Sequence, residues 1–279
     1  MIKPVLQDDA FLEDVSRAKR EPNQLHLWWL GQSGYLVQWQ NHHLLIDPYL
    51  SDSLTKKYAG TDKPHVRMTK RVIAPERLDF VDVVTSSHNH TDHLDGETLI
   101  PLLKANPNLM VLVSRANVHF AAERLQVPSE NLTPVRVADT ATKIYPFTFY
   151  AIPSAHESLE QDENGDYRFI GLIIQVGKWT IYHSGDCIPY DGLSDRLKQW
   201  KLDIALMPIN GRDPARGVAG NFTAEEAAQL GKEVSAGTAI PCHYEMFEFN
   251  TASPQEFVKA ATQIGEKYHL LRCGERLDL

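Results

Sequence analysis

The sequence predicts one α/β domain over residues 1–279, built as two sheets face to face with helices on their outer sides. Three observations predict it. Each half of the chain opens with consecutive strand-like runs and continues with strands alternating with helix-like runs, which starts two sheets rather than one. No linker or low-complexity stretch separates the halves. A hydrophobic content of 43% beside 23% charged residues is enough for a large packed core.

Residues 8–20 carry Phe11, Leu12 and Val15 at helical spacing and predict a short helix within an N-terminal extension, residues 1–24. Residues 25–29, 34–39 and 43–46 read as three strands separated by turns, and Pro48 stops the third. Residues 51–76 are polar and irregular, with Gly60, Pro64 and Pro75, and such a loop between converging segments is expected to wall a pocket. His65 within it reads as a surface residue. A strand at 80–85 and a helix at 97–104 are followed by a second such pair, at 109–113 and 116–125, with His119 read as structural.

The second half begins with strands at 135–137 and 143–153, then a turn around Asn164-Gly165. Strands at 169–176 and 180–183 flank Gly177-Lys178, and a helix at 193–200 leads to a strand at 204–208. The loop 210–217 precedes a helix at 224–234, for which Thr223 is the expected N-cap and Glu226 its capping-box partner. A strand at 238–241, a helix at 254–264 and a strand at 269–272 close the chain.

The chemistry concentrates in Ser86-Ser87-His88-Asn89-His90-Thr91-Asp92-His93-Leu94-Asp95-Gly96, between a strand and a helix. Imidazole and carboxylate suit borderline divalent ions such as zinc, and also manganese or iron. His88 and His90 are one residue apart, so on an extended segment they share a face, while Asp92 and His93 fall where the chain bends into the helix. A single histidine is ordinarily a polar core or surface residue. Four ligand types in one strand-to-helix turn are a metal-site pattern. Further histidines and aspartates stand at strand ends: Asp47, His156 in SAHE, Asp186 in SGDC and His243 after Cys242. Taken alone, each also reads as an ordinary turn residue. Where His243 faces a site, Cys242 must face the core.

These candidates, in order and residue type, resemble the ligand set of the metallo-β-lactamase-fold hydrolases, beginning with HxHxDH at residues 88–93. The resemblance implies an αββα sandwich with its site at one edge of the two sheets. It also implies that His88, His90 and His156 hold one metal, that Asp92, His93 and His243 hold a second, and that Asp186 bridges them. In that family an aspartate after the third strand lies near the metals, which assigns Asp47 to bracing a ligand imidazole. Within the superfamily, the stretches HLWWLGQSGY (26–35), LLIDPY (44–49), YHSGD (182–186) and IPCHY (240–244) are similar to the L-ascorbate-6-phosphate lactonase-like branch. The chain also resembles the N-acylphosphatidylethanolamine phospholipase D branch, but without an amphipathic membrane segment.

The activity implied is hydrolysis by a water that two divalent ions, zinc or manganese with iron as an alternative, bring to near-neutral pKa. Asp92 and His243 are the expected catalytic residues, with Asp92 holding the water and accepting its proton. The substrate is expected to be a small anionic ester, a lactone or phosphoester, met by Asn210, Arg212 and Arg216 in the glycine-bearing loop. Rival readings are a phosphodiesterase or nuclease of the same fold, an iron-dependent oxidoreductase, and a metal-binding regulator without activity.

A formal charge of −8 disfavours a nucleic-acid partner. The three cysteines, Cys187, Cys242 and Cys273, show neither paired spacing nor CxxC. The acidic start lacks a secretory core and the longest apolar runs are too short for a bilayer, so a cytoplasmic protein without membrane contact is expected, and a homo-oligomer remains compatible.

Overall fold

Three consecutive strands, β1 (Leu25–Gly31), β2 (Gly34–Trp39) and β3 (His42–Ile46), form an antiparallel meander. Their residues are almost wholly buried on both faces, which places the meander inside the molecule. The computed structural model describes residues 1–137, 141–213 and 220–279. Parallel strands extend the meander: β4 (Val83–Ser86), β5 (Met110–Ser114) and β6 (Leu132–Val135). The helices α3 (Gly96–Ala105) and α4 (Val118–Leu125) form the crossovers between them.

The second sheet repeats this plan. The strands β7 (Thr142–Ile144), β8 (Phe147–Pro153), β9 (Ile170–Val176) and β10 (Trp179–His183) are antiparallel neighbours. β11 (Ile204–Pro208) and β12 (Thr238–Cys242) then add in parallel, through α5 (Leu193–Leu197) and α6 (Ala224–Glu233). After α7 (Pro254–Ile264) the chain returns to the first sheet, where β13 (Arg276–Asp278) pairs antiparallel with β1. The orders are β13-β1-β2-β3-β4-β5-β6 and β12-β11-β10-β9-β8-β7.

The sheets face each other. His183 on β10 donates from Nε2 to the Ser33 carbonyl of the β1–β2 turn at 3.1 Å, and its ring meets Tyr35 of β2 edge-on at 6.3 Å. One hydrophobic cluster joins Leu36, Leu45 and Leu112 of the first sheet to Ile173, Ile181 and Leu206 of the second. Outside, α4 packs on β5 and β6, and α6 lies on β11 and β12 beside α7. The expected N-cap of α6 is present, with the Thr223 hydroxyl accepting from the Glu226 N–H and the Glu226 carboxylate accepting from the Thr223 N–H. The helix α1 (Asp9–Ala18) buries Phe11 and Val15 in the main core, and the Trp28 indole donates to Asp14 at 3.0 Å. Among the described residues no helix is long and apolar enough to cross a membrane.

Several elements differ from the sequence reading. The strand expected at 135–137 lies earlier, as β6, where Pro134 is tolerated because the strand is the sheet edge. The strand expected at 143–153 is two strands, β7 and β8, turned at Tyr145-Pro146. The helix expected at 193–200 ends at Leu197. Residues 269–272 form no strand; β13 takes that place because the edge of β1 offers it a partner. The loop 51–76 contains α2 (Ser53–Lys57) and is pinned to the segment after β12, by Met68 N–H to Met246 carbonyl at 2.8 Å and Glu248 N–H to Val66 carbonyl at 3.0 Å. His119 is an exposed surface residue near Glu123 rather than a structural one.

Candidate metal centre

Strand direction decides which side chains meet. β8, β10, β11 and β12 all run the same way, so the residues following β8, β10 and β12 emerge at one edge of the second sheet. These are His156, Asp186 and His243. The turn after β4 brings His88, His90, Asp92 and His93 to the same edge. Donor atoms of His88, His90, His156 and Asp186 all lie within 4.8 Å of one another, and those of Asp92, His93 and His243 form a second such group. Asp186 stands between the two: its Oδ1 is 3.2 Å from His93 Nε2, and its Oδ2 is 3.7 Å from His243 Nε2 and 3.9 Å from His156 Nε2.

Local backbone features make this convergence. Gly185 adopts φ 58°, and a Cβ there would lie 2.8 Å from Ser87 Cβ and 2.9 Å from the Ile170 carbonyl. Only glycine lets the β10 end approach the histidine turn closely enough. Asp47 (φ 39°), Gln32 (φ 50°) and His243 (φ 65°) occupy the left-handed region despite carrying side chains. Such conformations persist where surrounding contacts over-determine them, and functional sites concentrate them.

The Nδ1 atoms of His88, His93 and His156 each have a partner. His93 Nδ1 donates to Asp47 Oδ2 at 2.8 Å, His156 Nδ1 to the Gly220 carbonyl at 2.7 Å, and His88 Nδ1 lies 3.0 Å from Ser87 Oγ. Ser87 Oγ donates to Asp47, which also accepts from the Ser87 N–H and the Thr85 hydroxyl. These bonds leave the Nε2 lone pair of His93 and of His156 pointing to the centre. The Gln32 amide donates to Asp92 Oδ2 at 2.8 Å and lies 2.9 Å from His243 Nε2.

The donor set fits divalent ions on an observation independent of spacing. His88 Nε2, His93 Nε2 and Asp186 Oδ1 are buried polar atoms that make no well-directed hydrogen bond among the described residues, although the last two lie 3.2 Å apart. Orphaned buried polar atoms are costly and rare, and three of them within the two donor groups fit a bound cation. Electrostatics agree. Burial disfavours charge on Asp92 and Asp186, but His93 and His243 outweigh it and hold both carboxyls below the usual carboxylate range. Burial, then its neighbours His93 and His90, keeps the His88 imidazole well below its ordinary value, and burial also lowers His90. Burial opposes a charged His93 as well, yet Asp186 and Asp92 raise it well above the ordinary imidazole range.

The centre forms the floor of a cavity of about 570 Å³, and the 51–76 loop supplies one wall through Leu54, Lys57, Tyr58, Lys63 and His65. His65 is therefore a cavity residue rather than a surface one. Its ring stacks on Tyr58 at 4.4 Å and meets Phe247 edge-on at 5.1 Å, and its Nδ1 donates to the Lys63 carbonyl at 2.9 Å. Phe247 is remote in sequence, which hid its position.

The loop after β11 departs from expectation. Arg212 clasps Glu226, with Nη1 2.7 Å from Oε2 and Nη2 2.6 Å from Oε1. The Asn210 amide donates to Asn250 Oδ1 and its Oδ1 accepts from Asn221, both at 2.9 Å. Neither Asn210 nor Arg212 lines the cavity, though Asn221 and Asn250 do. Arg216 lies outside the described residues. Cys187 and Cys242 are buried and belong to neither donor group. Sequence reasoning missed Gln32: a lone amide in a turn carries no ligand signal.

The family whose description is β-lactamase superfamily domain matches residues 42–244, a span that includes all seven donors. A UPF0173 metal-dependent hydrolase from Metallosphaera sedula is 26% identical over 257 residues, covering 90% of this chain and 98% of that protein. A probable L-ascorbate-6-phosphate lactonase from Escherichia coli is 22% identical over 272 residues, covering 88% of this chain and 76% of that protein. Among solved structures, the isothiocyanate hydrolase from Delia radicum gut bacteria superposes with a TM-score of 0.70 at 21% identity, over 90% of this chain and 98% of that one. At that identity the likeness is one of fold.

Proposed function

This chain belongs to the β-lactamase superfamily and is a metal-dependent hydrolase of it, and we propose that it holds two divalent ions, zinc or manganese, and hydrolyses a small anionic ester, a lactone or a phosphoester. The observation that carries this reading is the pair of donor groups sharing Asp186, with three orphaned donor atoms within them. His88, His90 and His156 would hold one ion, Asp92, His93 and His243 the other, and Asp186 both. Bound there, the ions supply Lewis acidity, bringing a water to near-neutral pKa and drawing charge from the scissile carbonyl or phosphoryl group.

The chain's own residues do the rest. Asp92 keeps its charge, remains 15% exposed at the cavity floor and is oriented by the Gln32 amide, so it can align the attacking water and take its proton. His243 stands 3.4 Å from the same Asp92 oxygen and fixes that side of the floor. Tyr58, His65 and Phe247 form an aromatic wall of the cavity, against which a bound substrate would shed water. The similarity to the ascorbate-phosphate lactonase supports a small anionic substrate.

Elemental analysis after gentle loading with zinc or manganese should approach two ions per chain, and the loaded protein should turn over lactones or phosphoesters in preference to thioesters. Saturation at one ion would overturn the binuclear centre. Full loading without hydrolysis of lactones or phosphoesters would overturn the substrate reading.

A further inference from the structure

Two arginines near the centre are committed in opposite ways. Arg212 is neutralised by the Glu226 fork. Arg124, on α4, lines the cavity beside Asn89 and His90. Its Nη1 donates to the backbone carbonyls of Asn89 at 2.7 Å and Leu94 at 3.2 Å, and its guanidinium lies 4.3 Å over the Phe120 ring. Those two bonds use both hydrogens of Nη1. The remaining donors are the Nε–H and the Nη2 hydrogens, and a guanidinium presents these as a parallel fork along one edge. No carboxylate among the described residues pairs with it. The acid that acts on it is Asp95, which is taken up by the N-cap of α3 and by Thr98.

We propose that the Nε–Nη2 edge of Arg124 is the subsite for the substrate's anionic group, with Lys57 as a second cation on the same cavity. The inference rests on the reading of this chain as a hydrolase of anionic esters and says where the anion binds. A planar fork matches two oxygens of a carboxylate or phosphate, and this fork is held rigid by the carbonyls of the turn that carries His88, His90 and His93, which fixes the anion's position relative to the reacting centre. Burial already pulls the Arg124 guanidinium below its ordinary range, so a half-buried cation gains from an anion's arrival. Lys57 has its ammonium 5.2 Å over the Tyr58 ring, whereas its neighbour Lys56 is spent on Glu97 at 2.6 Å.

The test measures inorganic phosphate binding to the metal-loaded protein by isothermal titration calorimetry, with metal content determined on every sample. Arg124→Gln should weaken phosphate about 10–100-fold with metal content unchanged, the loss of one charged hydrogen-bonding partner. Arg124→Lys should recover part of it by restoring the charge without the fork, and Lys57→Gln should cost less than Arg124→Gln. A change below about twofold in Arg124→Gln at full metal content would sink the proposal. So would a fall in metal content in both Arg124 variants, which would assign the residue to bracing the histidine turn. Kinetics on 4-nitrophenyl acetate and mono-4-nitrophenyl succinate separate the two readings. Arg124→Gln should raise KM for the anionic ester alone and leave the neutral one within about twofold. Phosphate binding that depends on Arg124, in a loaded protein that hydrolyses neither ester, would leave the subsite standing and count against the hydrolase reading.

Discussion

The two donor groups of the centre are built on different principles. His88, His90 and His156 come from two sheets; His88 and His156 are braced by neutral partners, a serine hydroxyl and a glycine carbonyl. Asp92, His93 and His243 are braced by charge and by an amide: Asp47 lies behind His93, and Gln32 touches both Asp92 and His243. The first group offers imidazole nitrogens and borrows its only carboxylate oxygen from Asp186. The second has a carboxylate of its own and a second one a single imidazole away. A divalent ion in the second group would therefore draw on buried carboxylates, whereas one in the first would depend on histidine geometry. The contrast teaches that an ion's affinity is set as much by what stands behind a ligand as by the ligand.

The largest effect that can break this contrast is at the residue both groups share. Asp186→Asn keeps the shape and removes the charge. It should lower metal content below two per chain and reduce kcat/KM by at least about 100-fold, because both groups lose an anionic oxygen. Retention of two ions with activity within tenfold would show that the groups are independent and that Asp186 bridges nothing.

A selective effect should come from Asp47→Asn. The carboxylate is 0% exposed and accepts from His93, Ser87 and Thr85, so its replacement weakens the brace on His93 while His88 keeps its hydroxyl partner. Chelator titration should show one of two release steps moved by about 10–100-fold and the other by less than about threefold. A melting temperature taken on the loaded variant separates this from general destabilisation. Equal movement of both steps would erase the distinction between neutral and charged bracing.

How much of this was legible in the sequence follows from where each residue stands. The seven donors are of ligand type and each follows a strand end, so a strand-by-strand reading reaches them. The two-sheet plan was legible for the same reason, since a meander followed by crossovers occurs twice. Residues whose meaning depends on distant neighbours were not legible. Glu226 was read as a helix cap, which it is, but its carboxylate also neutralises Arg212, and nothing in the spacing of the two announces a fork. Arg124 reads as an ordinary helix residue until α4 is placed beside the histidine turn. β13 exists only because β1 has an unpaired edge, and three residues leave too faint a pattern to detect.

The smallest expected effect sharpens the comparison through Cys187. It follows Asp186 directly, and a thiolate there would give the histidine group an anionic ligand of its own and abolish the charge difference between the groups. Its surroundings argue otherwise. The side chain is wholly buried in the main hydrophobic cluster, its Sγ lies 3.2 Å from the Ile188 carbonyl, and its N–H donates to Asn221. Burial pushes the thiol up to about 12, so the proton stays on at neutral pH, and a metal ligand must be the thiolate. Cys187→Ser is therefore expected to leave both chelator release steps within about twofold of the parent, with a modest drop in melting temperature from placing a hydroxyl in an apolar site. Loss of one metal equivalent, confined to the step that Asp47→Asn leaves alone, would make Cys187 a ligand of the histidine group and show the two groups to be charged alike.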